Sequence, residues 1–249
     1  MLIKELGLDS RKEAILEAII REYVETGVPI GSFSIAEKYS FLFSSATIRA
    51  EMSELERLGF LTHPHTSAGR IPTEKGYRYL VDLIEEEEKL LEREGLVAKK
   101  RIESIEDCFE RQLQSASQVL SEITKNMGFA GTNKEIFSYG LGNLFSYPEL
   151  LDPERLLKTA DLIDNLSHFV KELPRNAETR VYIGSEMPIG KSAGCSVLVS
   201  RFESPFGHLG YLGIIGPTRM SYEKNLSAIS EVKNILEKKS EKRKKQSKK

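Results

Sequence analysis

Two short stretches carry most of the recognisable chemistry in this chain. In Ser44-Ser45-Ala46-Thr47-Ile48-Arg49, small and hydroxyl residues open a helix and an arginine follows within its first turns. Small residues let such a helix lie deep in the major groove of DNA. Thr47 offers a hydroxyl to a base edge or phosphate and a methyl to thymine. Arg49 can pair two-handed with guanine O6 and N7, or with a phosphate. Ser44 and Ser45 stand at the helix N-terminus, whose free backbone amides favour phosphate. The second stretch runs from Thr62 to Thr73 and holds His63, His65, Thr66, Ser67, Gly69 and Arg70. Its hydroxyls can bond phosphate oxygens, and Arg70 can enter a minor groove or meet the backbone. Lys75 and Arg78 follow at the start of the next helix, where they can anchor phosphates. His63-Pro64-His65 has no third or fourth ligand nearby, so a metal reading is set aside. No Ser-His-Asp group, Cys-His pair, Walker loop or paired carboxylate has a convincing context. The sequence therefore predicts neither an enzyme nor a cofactor.

The elements that must position these residues can be read from caps and periodicity. Asp9 or Ser10 caps a first helix with Ile15, Leu16, Ile19, Ile20, Tyr23 and Val24 on one side, and Gly27 ends it before Pro29. Ser32 or Ser34 caps a short second helix. Ser44 or Ser45 caps the third, in which Ile48, Met52 and Leu55 face inward and Ala46, Thr47, Arg49, Ala50, Ser53 and Arg57 face outward. Gly59 terminates it. Phe60-Leu61-Thr62 and Arg70-Ile71 form a hairpin, and Thr73 caps a fourth helix through Tyr77, Leu80, Val81 and Ile84. Helix followed by hairpin is the order of a winged helix-turn-helix.

Beyond residue 82 the chain changes character. Ile102, Ile105, Phe109, Leu113, Ala116, Leu120 and Ile123 recur at spacings of three or four, an amphipathic helix of about six turns. Its stripe suits packing on its own domain and pairing with a second copy about equally; the dimerisation reading takes Ile102, Ile105, Phe109, Leu113 and Leu120. Asp152-Pro153-Glu154 opens a helix to about Leu173. Three strands are expected at 180–183, 196–202 and 209–215, and Ser221 caps a last helix with Leu226, Ile229, Val232, Ile235 and Leu236 inward. Helix, antiparallel strands and helix make a small α+β domain. With so few strands it buries modest apolar area, so it is the part expected to open first on heating. Gly216-Pro217-Thr218-Arg219-Met220 suits an anion site, but a strand-to-helix turn with Arg219 in a structural ion pair is favoured.

Composition sets the bounds. The 249 residues are 29% charged and 40% hydrophobic, as in a soluble globular protein. No apolar run approaches the ~20 residues of a membrane helix, and the start lacks a secretory pattern. Cys108 and Cys195 read as buried reduced thiols of a cytoplasmic protein. The net charge of −1 hides an asymmetry: residues 238–249 hold eight Lys or Arg against one Glu. That tail, expected to be disordered, suits nonspecific nucleic-acid binding or solubility nearly equally. Residues 1–82 hold ten basic and twelve acidic side chains, so DNA affinity must come from local placement of charge.

These residues resemble the heat-inducible transcription repressors called HrcA. The resemblance rests on Pro29-Ile30-Gly31-Ser32, Ser44-Ser45-Ala46-Thr47-Ile48-Arg49, Leu55-Glu56, Pro64 through Thr73, and Gly76-Tyr77-Arg78. It continues in Gly142-Asn143-Leu144, Ile183-Gly184-Ser185-Glu186, Cys195-Ser196-Val197 and Gly213 through Met220. It implies a GAF-like C-terminal domain and a homodimer on double-stranded DNA, at an inverted-repeat operator before chaperone genes. It also implies release on heating and support by a GroEL-type chaperonin. Three departures stand out. About a hundred residues that the family carries before Gly142, including an inserted dimerising domain, are missing. Phe33 stands where arginine is usual, and Ala50 where asparagine is usual.

The sequence thus predicts an α+β chain: a winged helix-turn-helix over 1–82, a helical linker over 83–130, a reduced GAF-like domain over 131–237 and a basic tail. The predicted DNA contacts are Ser44, Ser45, Thr47, Arg49, His65, Ser67, Arg70, Lys75 and Arg78. The alternative is an interaction or small-molecule-sensing protein derived from such a repressor, with a decayed DNA site.

Overall fold

The computed structural model describes residues 8–39, 43–64, 69–87, 108–173, 179–188, 194–204 and 207–238. The chain divides into two compact units, Met1–Lys89 and Leu90–Lys249. In the first, α1 (Ser10–Thr26) begins because the Asp9 carboxylate accepts from the backbone amides of Arg11 and Lys12. Ile15, Leu16, Ile19 and Ile20 are fully buried, each contributing about 1.5–3 kcal/mol by removal from water. Gly27 ends the helix at φ 65°.

The next helix, α2 (Ser32–Lys38), departs from expectation at its start. Gly31 holds the N-cap position and no side chain caps the helix; Ser32 is the first helical residue and is buried. In α3 (Ser45–Arg57) Ser44 is the cap, its hydroxyl accepting from the Thr47 amide. Strands β1 (Leu61–Thr62) and β2 (Ile71–Pro72) pair antiparallel, with Thr62 opposite Ile71. Ile30 and Arg70 exchange backbone hydrogen bonds of 2.9 and 2.8 Å, so the α1–α2 turn extends the hairpin as a third short strand. Gly69 is required there: a Cβ would lie 2.5 Å from the Ile30 backbone. In α4 (Glu74–Glu87) the Thr73 hydroxyl accepts from the Gly76 amide, and Tyr79 meets Phe60 edge-on in the core.

The second unit is a five-stranded antiparallel sheet with helices on both faces. Its elements are α5 (Phe109–Thr124), β3 (Met127–Gly131), β4 (Ile136–Tyr139), α6 (Leu141–Leu144), α7 (Pro153–Asp164), α8 (Leu166–Glu172), β5 (Arg180–Ile183), β6 (Cys195–Glu203), β7 (Leu209–Pro217) and α9 (Tyr222–Lys238). Strand order is β4-β3-β7-β6-β5. One face carries Met127, Phe129, Val197, Val199 and Ile215 into a core closed by Leu162, Leu166, Phe169 and Val170 of α7 and α8. The other face packs on α5 and α9.

Three expectations are corrected. The sheet has five strands instead of three, because residues 127–131 and 136–139 form a hairpin. The helix expected over 152–173 breaks at Asn165, whose side chain turns back to the Asp161 carbonyl. The described part of the amphipathic stripe is not a free face. Leu113 and Leu120 are 1% and 0% exposed inside one chain, and Phe109 stacks near Phe202 and His208. That surface is spent on the unit's own sheet, so 108–130 begin the second unit instead of linking two units. Ile102 and Ile105 lie outside the described residues, as do 239–249.

Cys195 is buried beside the Thr159 hydroxyl, and burial pushes its thiol pKa up; Cys108 is half-buried. Among the described residues, no helix is long and apolar enough to cross a membrane.

Candidate nucleic-acid interface

The helix α3 sorts its residues by face. Ile48, Met52 and Leu55 are 0%, 4% and 0% exposed and fix the helix on the core. Ser44, Ser45, Ala46, Arg49, Ala50, Ser53 and Arg57 are exposed, and Thr47 is half-buried. The Thr47 and Ser44 hydroxyls lie 3.0 Å apart, so Thr47 is tied to the cap that opens the helix. Arg49 is exposed and makes no ion pair or side-chain hydrogen bond among the described residues.

The helix α3 carries Glu51, Glu54 and Glu56 against Arg49 and Arg57, an unfavourable charge for DNA. The fold neutralises each of these acids. Glu51 pairs with Arg11 at 3.4 Å and Lys12 at 3.1 Å, both from α1. Glu54 pairs with Arg57 at 2.6 Å, and that partner holds its carboxyl below the usual carboxylate value. Glu56 meets Arg70 at 2.8 Å and also contacts His63. The cation left over on the helix is Arg49, in its N-terminal half.

Other predicted contacts are engaged within the unit. The Arg70 Nε is buried and lies close to Glu56 as a charge pair, without the alignment of a hydrogen bond. The Lys75 ammonium donates to the Leu58 carbonyl at 2.8 Å and sits 4.3 Å from the centre of the Phe60 ring. It thereby satisfies a free carbonyl at the C-terminal end of α3. Arg78 pairs with Asp82 at 3.7 Å. His65 and Ser67 lie outside the described residues. Among the described residues of the predicted set, Ser44, Ser45, Arg49 and Lys75 are exposed, Lys75 with its ammonium already engaged, and Thr47 is half-buried beside the first three. The contacts of Glu51, Glu56 and Lys75 went unforeseen because each joins residues far apart in the chain.

In the second unit the turn at Gly216–Met220 is structural. Arg219 pairs with Glu149 at 2.5 Å and lies over the Tyr147 ring, while the Thr218 amide donates to the Gly194 carbonyl. Gly142-Asn143-Leu144 also has a packing explanation. The Asn143 amide donates to the Ser121 hydroxyl at 3.0 Å and the Asn126 carbonyl at 3.1 Å, joining α6 to the end of α5. Among the described residues no three His, Cys, Asp or Glu side chains are grouped to hold a metal.

A family model described as the HrcA protein C terminal domain matches residues 87–226. A heat-inducible transcription repressor HrcA from Lachnoclostridium phytofermentans is 30% identical, with 90% of this chain and 95% of that protein covered. One of the same name from Clostridium perfringens is 27% identical, covering 92% and 98%. One from Desulforudis audaxviator is 48% identical over 120 residues, which are 47% of this chain and 35% of that protein. In the first of these, 90% of 249 residues, about 224, is spread over 328 aligned positions. About a hundred positions of that relative therefore have no counterpart here. A crystal structure described as a hypothetical protein shares the fold at TM-score 0.78 and 20% identity, with 92% of this chain and 98% of that one covered. From its N-terminal motifs through its five-stranded unit, the chain belongs to the HrcA family of heat-inducible transcription repressors, as a shortened member.

Proposed function

We propose that the chain represses transcription by binding duplex DNA through its first unit, a winged helix-turn-helix. In it α3 is the recognition helix and the β1–β2 hairpin is the wing. The observation that carries this reading is Arg49: exposed, without an ion pair among the described residues, and near the amide-rich end of a helix whose three glutamates are neutralised. That arrangement leaves positive charge where a major groove would receive the helix. Ser44, Ser45 and Thr47 would contact phosphate or base edges. His65, Ser67 and Arg70 would act from the wing, and Lys75 and Arg78 would be secondary phosphate anchors.

The family resemblance extends the reading to a cytoplasmic homodimer on an inverted-repeat operator before chaperone genes, released by heat and supported by a GroEL-type chaperonin. A two-fold operator needs a two-fold protein. With Leu113 and Leu120 buried in one chain, the dimer contact belongs on another surface of the GAF-like second unit.

The test is binding of the full chain to duplexes from upstream of its own cell's chaperone operons, against scrambled duplexes, at several salt concentrations. Specific binding that falls steeply with salt is expected. Equal affinity for both duplexes would overturn the reading. It would favour the alternative, an interaction or small-molecule-sensing protein, which Phe33 supports: at 71% exposure it puts an apolar ring in the helix-turn-helix where the family has a cation.

A further inference from the structure

We propose that Glu56 is a positioning residue for DNA binding: it fixes the hairpin against α3 and presents Arg70 in a set place. This rests on the DNA-binding reading above. Glu56 lies in the last turn of α3. One carboxylate oxygen contacts Nδ1 of His63, just past β1; the other lies 2.8 Å from Nε of Arg70, just before β2. One side chain of the helix therefore holds both strands where the hairpin loop opens. Glu56 and Arg70 are sheltered, with side chains 24% and 23% exposed, while His63 is more open at 38%. Such shelter strengthens a charge pair over an open surface one.

The other glutamates of α3 do different work. Glu51 ties the helix to α1, and Glu54 pairs with Arg57 on its own helix. Glu56 is the one of the three that pairs with the hairpin. The backbone of Arg70 is also fixed, by its paired hydrogen bonds with Ile30. The arginine is thus set at both ends, at its peptide by Ile30 and at its guanidinium by Glu56. A long side chain ordered before binding loses little further freedom when it meets its target, which raises affinity without adding a contact.

The sign of the effect separates this role from bulk electrostatics. Removing a negative charge from a DNA-facing unit should strengthen binding to a polyanion. Positioning by Glu56 requires the opposite. In the full chain, Glu56→Gln should weaken binding to the chaperone-operon duplex about tenfold, and Arg70→Ala should do the same. Glu56→Gln added to Arg70→Ala should cost nothing more, because the residue acts through Arg70. Unchanged or tighter binding by Glu56→Gln overturns the proposal. So does an equal loss in the Arg70→Ala background, which would make Glu56 a general fold contact. Hydrogen exchange at the Ile30 and Arg70 amides gives a readout without DNA. Glu56→Gln should speed both while α1 stays protected, and unchanged rates overturn the latch. If the wild-type chain binds neither duplex, the DNA reading fails and the exchange rates alone decide the latch.

Discussion

The two units of this chain differ in where most of their polar pairing lies. The first is held by charge on its surface. Arg11 and Lys12 meet Glu51, Lys38 meets Glu22, Arg57 meets Glu54 and Arg70 meets Glu56, all on residues at least partly open to water. The second hides neutral polar groups inside. Ser121, Asn126 and Asn143 form one network, and the Ser196 and Tyr222 hydroxyls meet at 2.8 Å. A surface of paired charges can exchange its partners for phosphate at little cost. A buried neutral network cannot; it holds one geometry. The difference fits the proposed division, with recognition in the first unit and structural definition in the second.

The widest gap between the units should appear on heating, and in the opposite order to the one expected from three strands. The second unit has a five-stranded sheet covered on both faces, so it buries the larger core. In a hydrogen-exchange temperature ramp, the amides of β3 and β7 should outlast those of α1 to α4. Phe129→Ala should reverse that order. Phe129 is 0% exposed on β3, between β4 and β7, and its truncation should cost about 3–5 kcal/mol in the second unit alone. A melt in which both units lose protection together would remove the distinction.

Next in size is an effect on binding without one on stability. Arg49→Ala should cost about 1–3 kcal/mol of specific DNA binding. It should leave the melting temperature unchanged, because the Arg49 side chain makes no ion pair or hydrogen bond among the described residues. The mirror case is Asn143→Ala. Loss of its bonds to Ser121 and Asn126 should cost the second unit about 1 kcal/mol, measured by urea titration, with the first unit's protection unaltered.

The smallest effect concerns acid. Lys12 holds the Asp9 carboxyl below its usual 3.8, chiefly by a side-chain hydrogen bond, and Arg57 holds Glu54 below 4.5 in the same way. A carboxyl whose folded pKa is lowered stabilises the fold above its unfolded value and loses that contribution as pH falls through the folded one. Acidification below about pH 4.5 should therefore loosen the first unit slightly, read as faster exchange in α1 and α3. Lys12 and Lys38 carry the opposite sign: their carboxylate partners raise their pKa values, so their contribution is lost as pH rises above those values. If acid affected only the second unit, the contrast in polar chemistry would be misplaced.

Much of the first unit was legible in the sequence because its signals are local. Asp9, Ser44 and Thr73 cap helices within three residues of themselves, and Gly27 ends one. In the second unit the strands β3 and β4 were hidden. Met127-Gly128-Phe129-Ala130 fell within the helical linker expected over 83–130, yet Gly128 lies in a strand where α5 comes close: a Cβ would meet the Ser117 carbonyl at 2.2 Å. The stop before it was also disguised. Lys125 ends α5 at φ 58°, a left-handed position that usually announces itself as glycine or asparagine. In the candidate site Arg49 was legible from helix phase alone. The engagement of Arg70 by Glu56 and of Lys75 by Leu58 was not, since each depends on how the hairpin folds back.

The sheet order has a consequence for synthesis. Strand β3, near the start of the second unit, lies between β4 and β7, and Met127 finds its partner in Ile215. On the ribosome the first unit, whose own contacts all lie within Met1–Lys89, is complete long before that partner exists. Until Leu209–Pro217 emerges, β3 and β6 each present an unpaired apolar edge beside a finished N-terminal unit, the state most exposed to aggregation or proteolysis. A chain interrupted before Leu209 would retain the helices and hairpin of the first unit and lack the strand that closes the second.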